Sequence, residues 1–208
     1  MLEHVLKMER GLTRQPLDFC NHSTSHGAAI HCSAERSSNE RVTLEARFAA
    51  IPKTPALEQL REAADRFLGS DAAWRAEEHR GGTMYAYAEN EYRITNEQEF
   101  VELLESGRAP AASEAEVKKL DAELNAAYKK RMDSIEPCES NCDPPLEPEI
   151  LRGSQRAWIP YRDAWIRYYQ ERWKGQASPD QLRREIAAKL MRARIAQFAL
   201  PGEGESDG

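Results

Sequence analysis

Apolar residues recur at three- and four-residue steps along most of the chain, the mark of helices with one buried face. The first stripe begins near Ser38 and runs through Val42, Leu44, Phe48 and Ile51 to Pro52. Thr54-Pro55 opens a second helix, with Thr as N-cap and Pro at the first helical position, where its missing N–H costs nothing. Leu57, Leu60, Ala64, Phe67 and Leu68 continue it. Ala73 and Trp74 extend it past Gly69-Ser70 toward His79, and Gly81-Gly82 ends it. Residues 83–94 hold Met84, Tyr85, Tyr87 and Tyr92 and fit either a short strand or an extended helix. Thr95-Asn96-Glu97-Gln98 has the form of a capping box ahead of Phe100, Val101, Leu103 and Leu104.

Gly107 to Ala112 is rich in small residues and Pro and reads as a linker. A second capping box, Ser113-Glu114-Ala115-Glu116, precedes the stripe Val117, Leu120, Leu124, Ala127, Tyr128, Met132 and Ile135. Pro137, Pro144, Pro145 and Pro148 break that stripe. A long helix is predicted from Glu149 to Trp173, with Leu151, Trp158, Trp165, Tyr168 and Tyr169 near one face and a kink at Pro160. Ser178-Pro179-Asp180-Gln181 caps a last helix carrying Leu182, Ile186, Leu190, Ala193, Ile195 and Phe198. The predicted organisation is an all-α antiparallel bundle of two tandem three-helix-like modules, residues 36–107 and 113–200. A weakly patterned lead, 1–35, and a polar tail, 201–208, flank them. A faint repeat supports two modules: Leu60, Arg61, Phe67, Leu68, Ala73 and Trp74 align with Leu151, Arg152, Trp158, Ile159, Ala164 and Trp165, 91 positions on.

Composition narrows the function. The 208 residues carry a net charge of -6, and the mean hydropathy is -0.74. An acidic chain argues against general nucleic-acid binding and favours a basic partner. No apolar run approaches the ~20 residues of a membrane span. Met1 to Arg14 mixes charges and lacks the apolar stretch of a signal peptide. Taken alone this suggests the cytosol, or an exported protein whose signal has been removed. The cysteines bear on that choice. Cys20 and Cys32 form one local pair and Cys138 and Cys142 another, as suits disulfides in an oxidising compartment.

The remaining constellations offer little catalytic chemistry. Cys20, His22, His26, His31 and Cys32 are zinc or copper ligand types, but their spacing matches no finger pattern. A Cys20–Cys32 disulfide beside solvated histidines, with no metal, is the expectation. Cys138-x3-Cys142 lacks the spacing of a redox motif and fits a structural staple. Carboxylate pairs such as Glu77/Glu78 and Asp121/Glu123 lie on charged helix faces. There is no Gly-rich phosphate loop, nucleophile elbow or HExxH. No cofactor and no enzyme activity are expected. Asn125, Gln155, Arg162 and Asp163 are expected to form a polar clamp between helices, beside a core containing Tyr128, Trp158, Trp165, Trp74 and Phe67.

Leu120-Asp121-Ala122-Glu123-Leu124-Asn125-Ala126-Ala127-Tyr128, then Leu151 and Gln155-Arg156-Ala157-Trp158-Ile159-Pro160-Tyr161-Arg162-Asp163, resembles the LprI-like lysozyme-inhibitor domain. The last helix, with Arg192 and Arg194, is similar to that family's closing helix. The resemblance spans about residues 114–200, and the first half looks like a degenerate second copy. In that copy Phe48 stands for Tyr128 and Phe67 for Trp158. The chain departs from the family pattern at Trp165 and Ile166, where a further cysteine is usual. The resemblance implies a periplasmic or envelope-associated, non-catalytic protein. Its implied partner is a lysozyme-like hydrolase, or a delivered toxin that it neutralises as an immunity protein. An envelope-assembly module binding proteins through helix grooves is the alternative, followed by a metal-binding protein using His22, His26 and His31.

Overall fold

The computed structural model describes residues 25–82, 84–135 and 148–199, together with Glu3, Lys7 and Cys20. Among the described residues the fold is carried by the α-helices α1 His26–Ala49, α2 Pro55–Ala76, α3 Tyr85–Glu105, α4 Glu114–Asp133, α5 Pro148–Arg172 and α6 Pro179–Gln197. A 3-10 turn, Glu77–His79, follows α2. No strand occurs among the described residues.

The helix starts follow from local chemistry. Thr54, Ser113 and Ser178 each sit in extended backbone and accept a hydrogen bond from the amide three residues on, at Leu57, Glu116 and Gln181. Each satisfies one amide that the helix itself leaves unpaired, a contribution of about 1 kcal/mol. Pro55 and Pro179 occupy the first position, where fixed φ helps. After α5 the chain reverses through Gly175 at φ +84°, a conformation in which a Cβ would be strained.

Two elements begin earlier than apolar spacing predicts. Helix α1 starts at His26, capped by Ser25, so residues 26–35 are helical where a weakly patterned lead was expected. Its early turns face α3 through polar side chains. Ser33 donates to Glu91 at 2.6 Å, and Asn90 donates to the buried Ser37 at 2.6 Å. A helix interface built from serines gives no hydrophobic stripe, and Val42, counted in the expected stripe, faces solvent. Helix α3 starts at Tyr85 and runs through Thr95, where the capping box was expected. The Thr95 hydroxyl instead donates to the Glu91 carbonyl at 2.9 Å, inside the helix. Helix α5 continues through the exposed Pro160.

Helix α2 packs mainly on α3 and α5, α1 on α3, and α6 on α4 and α5. Phe67 stacking on Tyr161 and Ser154 reaching Asp71 set α2 and α5 antiparallel. One hydrophobic core runs through both halves. Its aromatic centre joins Phe67 to Tyr161 at 4.7 Å, Phe100 to Trp165 at 5.7 Å and Trp165 to Tyr168 at 5.7 Å. Phe67 and Phe100 come from the first half and the others from the second. Each such pair adds about 0.5–1.5 kcal/mol beyond area burial, so the halves stabilise one another.

Candidate functional site: a buried clamp and the groove above it

The polar centre lies where α2, α5 and α6 meet. Arg194 of α6 and Asp71 of α2 form an ion pair with no solvent exposure of either side chain. Arg194 also donates to Ser154 at 2.7 Å, to Gln155 at 3.2 Å and to Gln197 at 2.9 Å. Its guanidinium lies over the rings of Phe198, at 4.4 Å, and Phe67, at 5.2 Å. Asp71 accepts further bonds from Ser154 at 2.9 Å and Asn96 at 3.4 Å. Asn96, itself buried, donates to the Leu68 carbonyl and accepts from Arg75. Burial pulls Arg194 below the ordinary arginine range, and Asp71 opposes that shift. The donors and acceptors here satisfy one another, which is what buried charge requires.

The residues expected to act as one clamp have separate fates. Gln155 joins the Arg194 centre. Arg162 lies over Trp158 at 5.3 Å and donates to its neighbour Asp163, at 3.0 and 2.8 Å. Asn125 is exposed and, among the described residues, bonds within α4 to Asp121, because α4 turns its apolar stripe, and not Asn125, toward the rest of the bundle. Asn125 is therefore no clamp member. Of the aromatics, Trp74, Trp158, Trp165 and Phe67 are buried, and Tyr128 is half-buried against Phe198. Cys20 and Cys32 are joined by a disulfide, tying residue 20 to α1. Cys138 and Cys142, His22 and the side chain of His26 lie outside the described residues, and His31 is exposed. Among the described residues no three His, Cys, Asp or Glu side chains gather as a metal site.

Sequence reasoning missed Asp71 and Ser154. A signal exists: Gly69-Ser70-Asp71-Ala72-Ala73-Trp74 repeats as Gly153-Ser154-Gln155-Arg156-Ala157-Trp158, 84 positions on. That register differs from the 91-residue one by two helical turns, so both keep the same face. It places Asp71 opposite Gln155, and both bind Arg194.

Above the clamp, α3 and α6 flank a groove of about 700 Å³ whose floor includes Phe67, Trp158 and Tyr161. Glu99 and Glu102 line the α3 side, and Ala193 and Ala196 the α6 side. Burial raises the Glu99 carboxyl above its usual range; Arg75 opposes the shift, while Asp71 and Glu102 add to it. Charge is divided along the chain. Residues 1–105 hold 12 Lys/Arg against 18 Asp/Glu, and residues 106–199 hold 17 against 14.

These features describe a helical scaffold with an internally satisfied polar centre and an open, charged surface. Residues 106–198, which include α4, α5 and α6, match the model of the family described as Lysozyme inhibitor LprI. The family resemblance read from the motifs of α4–α6 covers the same half. No curated protein and no solved structure matches the chain.

Proposed function

We propose that this chain is an extracytoplasmic, non-catalytic binding protein that inhibits a lysozyme-type cell-wall hydrolase. The observation that carries this reading is the family match over residues 106–198. The disulfide supports an oxidising compartment. Among the described residues no helix is long and apolar enough to cross a membrane. Inhibition needs no catalytic group; it needs a rigid surface complementary to a cleft, and the shared core and buried ion pair make the helices rigid. The excess acid of residues 1–105 suits a cationic hydrolase, with long-range attraction raising the association rate. The first half acts as a diverged copy of the module, and its acidic faces supply the specificity.

Because Trp74, Trp158 and Trp165 are buried, they hold the fold and leave contact to polar helix faces and helix ends. The test is titration of purified protein against several classes of lysozyme. Loss of muramidase activity is expected for at least one class. Full activity at excess protein in every class would refute inhibition. Co-purification with a toxin encoded by a neighbouring gene would then favour an immunity role.

A further inference from the structure

Two helices rest mainly on one neighbour each, α4 on α6 and α1 on α3. Helix α4 does so through an apolar stripe that includes the buried Leu120 and Leu124. Helix α1 supplies one side chain, Leu44, to the buried core, with Phe48 packed against its edge. Most of what joins α1 to α3 is polar. Ser33 and Arg36 both donate to Glu91, at 2.6 and 2.8 Å, and Asn90 donates to Ser37 at 2.6 Å. Arg41 donates to Glu97, which Arg93 also binds, and Arg47 donates to both oxygens of Glu105, at 3.0 and 2.6 Å. From α2, Arg61 donates to Glu45 at 2.9 Å and lies over Phe48 at 4.7 Å. Arg36, Arg41 and Arg47 thus sit on three carboxylates of α3, and their side chains are 35–56% exposed. Ion pairs this open to water hold weakly and are screened by salt. The apolar side of the contact is loose as well: Leu44, Phe48, Leu68, Phe100 and Val101 line a pocket of about 280 Å³ between α1, α2 and α3.

We infer that α1 is a strap: it lifts off α3 as one unit while the rest of the bundle stays folded, and ionic strength sets how often. The clamp contains no α1 side chain, so lifting α1 leaves Asp71 and Arg194 paired. The Cys20–Cys32 disulfide closes a loop within the N-terminal segment and puts no covalent tie between α1 and α3. On opening, the serines, Asn90 and the charged groups exchange one polar partner for water, which keeps the cost of separation low. Off α3 the segment unwinds, because Ser33, Ser37, Ser38, Asn39 and Thr43 in its middle are poor helix formers. The opened protein shows Glu91, Glu105, Phe100 and Val101, an acidic and apolar face of α3 to which the closed strap controls access. The opening of α1 does not depend on which partner the protein binds.

Hydrogen exchange of the full chain, followed by mass spectrometry, tests the strap. Amides of residues 26–49 are expected to exchange together, more slowly than an unfolded peptide and at least about a hundredfold faster than those of α2 and α5. Raising sodium chloride from about 0.1 to about 1 M shortens the screening length from about 10 to about 3 Å; it should speed exchange in α1 about fivefold and leave α2 and α5 unchanged. R36Q/R41Q/R47Q should speed α1 about tenfold at low salt and remove most of its salt response, with α2 and α5 again unchanged. R152Q/R156Q/R167Q, which removes the same charge from α5, should leave α1 as it is in the parent. Protection of α1 equal to that of α2, exchange of α1 at the unfolded rate in the parent, no response to salt, or equal acceleration by both triple variants would overturn the strap.

Discussion

Replacing Asp71 by Asn removes the anion that pairs with Arg194 while keeping side-chain size. Both side chains are wholly shielded from water, so the guanidinium cannot recover its lost partner from solvent. Removing one member of a buried pair costs about 3–5 kcal/mol. Ser154, Gln155 and Gln197 remain as neutral acceptors, which sets the loss near the lower end, about 3 kcal/mol. In a chain of 208 residues this corresponds to a melting-point drop of about 6–12 °C. Denaturant unfolding followed by circular dichroism would measure D71N, R194M and the double variant. The double variant should lose about 2 kcal/mol less than the sum of the two single losses, since it no longer buries an unpaired charge. Because Asp71 and Arg194 stand 123 residues apart in different halves, D71N should raise hydrogen exchange in α6 as well as α2. A D71N loss below about 0.5 kcal/mol, or additive single losses, would refute the assignment of a buried, coupled pair.

Trp165→Ala should cost about 3–5 kcal/mol, read as a shifted denaturation midpoint, because Trp165 is 1% exposed and touches rings from both halves. Glu185 receives hydrogen bonds from Arg108, at 2.8 and 2.7 Å, and from Gln181, at 3.1 Å. The bonds from Arg108 chiefly hold its carboxyl below the usual range, against burial. A carboxyl lowered on folding stabilises above its unfolded pKa of about 4.3 and loses that effect as the pH falls through the folded value. E185Q should therefore be less stable than the parent at pH 7, with the gap closing under acid in pH-dependent unfolding. Reduction of the Cys20–Cys32 disulfide, which spans 12 positions, should lower stability by up to about 3 kcal/mol. Dithiothreitol should shift the melting point of the parent by more than that of C20S/C32S.

Features decided within one helical turn were legible in the sequence. Thr54, Ser113 and Ser178 announce their helices because a cap needs only a hydroxyl and an amide three residues away. The Trp158 and Trp165 face is equally local, since spacing alone puts both on one side. The start of α1 was hidden because Ser33 and Ser37 build its contact with α3, and apolar periodicity does not register serine. The start of α3 was misplaced because Thr95 can cap a helix or bond back into one, and only the tyrosine-bearing turns before it decide which. The clamp was half visible: Gln155 and Arg194 belong to motifs, whereas Asp71 becomes meaningful only when α2 lies against α5. Asn125 was assigned by its motif to a contact that the rotation of α4 does not provide.

The chain's role is tested most directly by stoichiometric titration of the purified protein into a muramidase assay with binding followed in parallel. Inhibition that saturates at one protein per hydrolase, in at least one lysozyme class, and that weakens as salt rises is the expected result. Undiminished muramidase activity in every class tested, with no complex detected at micromolar concentrations, would contradict it.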